Sequence, residues 1–159
     1  MDKTITLLKE ALKAKLSGKI KSWYVGDPVL IPDSAMPCIA ISPNSSVIAV
    51  ADNQRDSRIH KIDISVIVDA RQYFGSTPSE MVGTTFLMEI VSKENSDGTI
   101  DAATILGVLR DNMQLSTNRF MTGSVAIDYT TRRRTEDLVT IESICTIEIT
   151  HITSRCNYE

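Results

Sequence analysis

Four carboxylates, Asp63, Asp69, Glu142 and Glu148, are placed where acids could do chemistry, because paired acids on one sheet face can hold Mg²⁺ as metal-dependent nucleases do. Within each strand the two acids stand six residues apart, roughly 20 Å at extended rise, too far to share an ion. Asp63 brought opposite Glu142 is the remaining way to build such a site; a solvated sheet face is the simpler reading. The two histidines, His60 and His151, fall on β-patterned stretches with no GxSxG elbow nearby, so they are expected at the surface rather than in a catalytic triad. Cys38, Cys145 and Cys156 have none of the short paired spacings of structural zinc, and read as free thiols in a reducing compartment. Cys145 lies in an apolar row and is expected as a small core residue. Seven scattered glycines form no phosphate-cradling loop. The expectation is a protein that is not an enzyme and uses no cofactor or metal.

The sharpest charge features are arginines. Arg132, Arg133 and Arg134 run together and are followed at once by Glu136 and Asp137. This suits reciprocal ion pairs between identical subunits, or contact with an anion; a hairpin tip kept soluble by charge is the plainer alternative. Arg55 and Arg58 sit at the expected tip of a second hairpin.

The elements that must carry these residues are strands. From Lys61 the chain alternates strictly, with Ile62, Ile64, Val66 and Val68 on one side and Lys61, Asp63, Ser65 and Asp69 on the other; Ile67 is the apolar exception. Residues 138–152 repeat the pattern, with Val139, Ile141, Cys145, Ile147 and Ile149 inward. Both polar rows are expected to line an open face. A helix is predicted over 4–18, burying Ile5, Leu8, Leu12 and Leu16 and stopping at Gly18. A strand over 20–25 follows. Four prolines from Pro28 to Pro43 then confine the chain to loop and edge strand, with a short strand over 38–42 and another over 45–51. Residues 45–69 read as a long hairpin. Thr77-Pro78-Ser79-Glu80 has the form of a capping box and predicts a helix to about residue 94, burying Met81, Val82, Phe86 and Ile90. Asp101 is expected to cap a third helix that uses Ile105, Leu106, Leu109 and Met113 and ends near Asn112. A strand over 119–130 with a bend at Gly123, a polar turn over 131–137 and a loose tail over 154–159 complete the chain.

Helices in a block, with antiparallel hairpins around them, indicate the α+β class in a single domain over 1–159. The bulk numbers agree: 42% hydrophobic, 23% charged and only 5% aromatic residues describe a globular chain with an aliphatic core. A net charge of −3 argues against a general nucleic-acid coat. Residues 1–21 hold six lysines, so the remainder is clearly acidic; the basic face of the first helix reads as solvated or, less simply, as a docking surface for an acidic partner. No apolar run approaches the roughly 20 residues of a membrane span, and the first sixteen residues lack the form of a secretory signal.

One layout runs through the chain. An amphipathic helix leads to a strand ending Trp23-Tyr24-Val25-Gly26-Asp27-Pro28, then to the proline-bounded strand Met36-Pro37-Cys38-Ile39-Ala40-Ile41, a long hairpin into Ile62–Asp69, a two-helix block and closing strands. It resembles the tail-terminator and head–tail joining proteins of long-tailed bacteriophages. The resemblance implies a virion structural protein, made in the host cytoplasm and placed in the tail or neck. Its protomers close into a ring, commonly a hexamer, on the tail tube, stop tube polymerisation and dock the head connector or stopper. DNA only passes through the lumen. Under that resemblance the 45–58 hairpin with Arg55 and Arg58, and the 131–137 turn with Arg132, Arg133 and Arg134, are the expected subunit or lumen contacts. Other neck components, the tube subunit itself and, more remotely, a nuclease using Asp63 and Glu142 are the alternatives.

Overall fold

The computed structural model describes residues 2–50, 52, 55–73 and 82–154. The capping box at 77–80, the burial expected of Met81 and Val82, and the tail beyond Ser154 lie outside the described residues or side chains. The fold is α+β. One six-stranded sheet is built from β1 (Ser22–Val25), β2 (Cys38–Val50), β3 (Arg55–Asp69), β4 (Gln114–Ser116), β5 (Arg119–Arg133) and β6 (Val139–Ser154), in the order β1-β2-β3-β6-β5-β4. Only β1 with β2 is parallel; β3 and β6 pair along fifteen positions at the centre.

Helices cover one face, as alternation along the strands requires. α1 (Asp2–Leu16) buries Ile5, Leu8, Leu12 and Leu16, the row its spacing predicts, in one core that also holds Ile39, Ile41, Ile62, Ile64 and Ile147. α3 (Val82–Val91) and α4 (Ile105–Asp111) complete the cover, and the one-turn α2 (Ala70–Tyr73) follows β3. In α3 the burial is centred on Leu87, Ile90 and Val91, with Phe86 only partly buried at its margin. No described helix is long and apolar enough to cross a membrane.

Three expectations change. The chain over 38–50 is one strand rather than two. β1 pairs with β2 only from Cys38 to Ile41, so Pro43 lies where β2 has become an edge, and a register shift between Pro43 and Ser45 absorbs its missing donor. The cap of α4 is Thr104, whose hydroxyl accepts from the Gly107 amide at 3.0 Å; Asp101 instead accepts from the Ala103 amide one turn earlier. Met113, beyond the helix end, is 54% exposed.

The third concerns the polar face, which is not open throughout. Ile31, Met36, Cys38, Ala40, Ile67 and Leu138 form a second small core on it, where residues 26–37 fold across the sheet. This gives the out-of-pattern Ile67 its partners. It also buries Asp69 and Glu142, while Lys61 and Glu148, farther along the same face, keep water and pair with each other at 3.2 Å. The predicted bend at Gly123 is present: its φ is +79°, and the β5–β6 register shifts between Thr122 and Ala126.

Candidate assembly surface

Beyond Ile41 the sheet continues as an arm. Among the described residues, β2 from Pro43 to Val50 is paired on its inner side to β3 and has no strand on its outer side, and all eight residues are exposed. The segment carries no charge, and Val47, Ile48 and Val50 are 58%, 62% and 70% exposed. Folded proteins ordinarily blunt such an edge with charge, proline or a cover, because its free amides and carbonyls template another strand. Pro43 blunts only its root. At the other side of the sheet β4 covers β5 only near Arg119 and Phe120, so among the described residues β5 presents a second free edge from Gly123 to Arg133.

The five arginines expected at assembly contacts separate into different roles. Arg55 is at the arm tip and pairs with Asp52 at 2.9 Å. Arg58 stands three residues further along β3, cross-strand from Ile48 and His151, exposed and without an ion pair among the described residues. The polar turn expected at 131–137 is shorter, because β5 runs to Arg133 and Arg134 begins the turn. Arg133 bonds the turn carbonyls of Thr135 and Glu136. Arg132 is 46% exposed and only 3.7 Å from both Asp27 and Glu142. Arg134 is internal, with a side chain 7% exposed. Its guanidinium forks onto Glu142 at 2.6 and 3.0 Å and reaches Asp27 at 2.9 Å and the Pro28 carbonyl at 2.6 Å. Thr140 donates to the same fully buried Glu142. That knot ties the β5–β6 turn to the loop after β1 and leaves Arg134 unavailable to a neighbour. No spacing in the sequence links Asp27, Arg134 and Glu142, which lie up to 115 positions apart.

A second ion-pair cluster lies beside the first on the same polar face, since Asp69 pairs with Thr140 and Ile67 with Glu142 across β3 and β6. Arg71 binds Asp69 and Asp33, each at 2.8 Å. Hydrogen bonding from Arg71 holds the buried Asp69 carboxyl below its ordinary range, against the upward push of burial. A depressed folded-state pKa gives stability that is whole above the unfolded value of about 4 and drains as pH falls through the folded one. Between pH 5 and about 2.5, the wild-type thermal midpoint should therefore fall faster than that of Asp69→Asn; parallel curves would remove this account.

The acids proposed for a metal do not meet. Asp63 faces Thr146 and Glu142 faces Ile67, four positions apart on the ladder, roughly 13 Å. Asp63 accepts from Thr146 and Asn44 instead. Among the described residues, no three His, Cys, Asp or Glu gather closely enough to hold a metal ion. Cys38 and Cys145 are buried, each thiol pushed up to about 12 by that burial.

His60 departs from expectation. It is 4% exposed on the helix-covered face, 6.2 Å from the half-buried His151, and burial lowers the pKa of both. Its Nδ1 lies 2.8 Å from the Ser46 hydroxyl. Nε2 has no hydrogen-bond partner among the described residues, so the serine–histidine contact lacks the orienting acid of a triad.

A last feature is a cavity of about 420 Å³ between α4 and β5 at the Gly123 bend, walled mainly by Leu106, Leu109, Met113, Met121, Val125 and Ile127. Nothing in the sequence signals it, since its walls come from two separate elements.

No protein-family model matches this chain. No curated protein matches it either.

Proposed function

We propose that this chain is the subunit of a closed ring that ends a bacteriophage tail tube and receives the head connector. The reading rests on the sequence layout described above, and the observation that carries it is the uncharged, outward-facing strand edge from Pro43 to Val50. A strand edge of this kind on a soluble domain is suited to covering by another chain. Two free edges on opposite sides of one sheet make a head-to-tail contact available, and head-to-tail contacts close into rings or run on as filaments. A terminator requires the first outcome, and a tube subunit would give the second.

The decisive measurement is the mass of the purified protein in solution, with negative-stain imaging alongside. One discrete oligomer seen as a ring is expected. A monomer at every concentration, or a continuous ladder of sizes, would overturn the proposal.

A further inference from the structure

The two free edges and the α4–β5 cavity fit one another in direction, face and chemistry. Three successive antiparallel pairings separate β2 from β5, so the two strands run in opposite directions in their own sheet. A second copy moved sideways, without being turned over, therefore lays its β2 antiparallel to β5 of the first. Ile48 shares a face with Arg58, His60 and Ile62, the helix-covered face, and the cavity opens on that same face because α4 forms its outer wall. The arm cannot reach the cavity of its own chain: β3 and β6 lie between, and the three inter-strand steps amount to roughly 14 Å. Charge agrees as well. Arg58, opposite Ile48 on the arm, and Asp111, between the cavity residues Arg110 and Met113, are both exposed and have no ion pair among the described residues.

We infer that the arm of one copy adds as a strand to the β5 edge of the next, seating Ile48, with Val50 on the same side, in the α4–β5 cavity. This rests on the ring reading and specifies its interface. The sheets then continue from subunit to subunit with a stagger of a few residues, since β4 blocks β5 at Arg119 and Phe120 and the cavity begins beyond them. Staggered antiparallel continuation is also the geometry that closes a sheet on itself. The alternative occupant of the arm edge is the same edge of a second copy, which makes a dimer and stops.

The test uses the full chain with Cys156→Ser, leaving only the buried Cys38 and Cys145. Ile48→Cys is combined with Val125→Cys and treated with a short bis-maleimide. The expected result is a ladder of linked species ending at the ring number, requiring both cysteines. In the otherwise native chain, Ile48→Asp should weaken assembly at least tenfold while leaving the thermal midpoint of the isolated subunit unchanged. A linked dimer from Ile48→Cys alone would show edge meeting like edge and overturn the inference. So would a ring of normal mass that neither crosslinks through the pair nor responds to Ile48→Asp, and in that case the ring reading survives. A wild-type chain that never leaves the monomer defeats both.

Discussion

Arg134→Ala is expected to cost about 3–5 kcal/mol of stability. The cause is what it leaves behind. Glu142 is wholly buried and takes both of its charge-assisted hydrogen bonds from that one guanidinium, with Thr140 the only other hydrogen-bond donor to its carboxylate among the described residues. Removing the cation strands a carboxylate in low dielectric, and Asp27 and the Pro28 carbonyl lose their anchor together. At about 2–4 °C per kcal/mol for a chain of this size, the thermal midpoint should drop by roughly 10 °C. Arg132→Ala provides the contrast: half-exposed and 3.7 Å from the same carboxylate, it should cost under about 1 kcal/mol. Replacing both partners, as Arg134→Met with Glu142→Leu, should recover much of the loss, because no buried charge is then left alone. Equal losses from Arg132→Ala and Arg134→Ala, measured by urea unfolding, would show that the buried knot does not act as described.

Gly107→Ala should destabilise the fold by about 3 kcal/mol, although intrinsic preference alone favours alanine in a helix by about 1 kcal/mol. The sign reverses because of a close approach. A Cβ at this position would run into the Asp101 carbonyl oxygen, with the Ala102 Cα at 2.7 Å. Both obstacles are backbone, held by the Thr104 amide bonding back to Asp101 and by the cap from Thr104 to Gly107, so neither can swing aside. Gly18, where a Cβ meets nothing within 4 Å, is the matched control and should tolerate alanine with little change. A Gly107→Ala protein that melts at or above the wild-type temperature would contradict the packing of the 101–107 turn. These two substitutions probe opposite faces of the sheet, Arg134 on the polar face and Gly107 in the helix layer, and neither touches the arm.

Much of the architecture was legible because short-range periodicity and burial coincide. The alternation over 61–69 and 139–149 placed the inward row correctly, and the spacing of Ile5, Leu8, Leu12 and Leu16 placed the face of α1. The bend at Gly123 and the long hairpin were legible for the same reason, since turn chemistry and strand period are local. Other features were hidden because their causes are distant in sequence. Pro43 looks like a strand break until β1 is seen to stop at Ile41. Asp101 looks like a helix cap until Thr104 takes that role. Glu142 sits in a polar row and reads as solvated until the loop after β1 folds over it. His60 reads as a surface residue until the strand row is followed under the helices. The candidate surface divides in the same way: the 45–58 hairpin could be singled out from its pattern, whereas the cavity that would receive it requires α4 and β5 side by side.

By itself, the sequence determined the α+β class, the inward-facing rows and the existence of a long hairpin, because each follows from the period of side chains along a single element. Tertiary structure alone decided which charges are available to a partner and which are locked away. Arg132, Arg133 and Arg134 are chemically alike and adjacent, yet only the third is held inside, by Asp27 and Glu142 from two other strands' ends. Burial is a property of the assembled layers, so it assigns different roles to neighbouring identical residues.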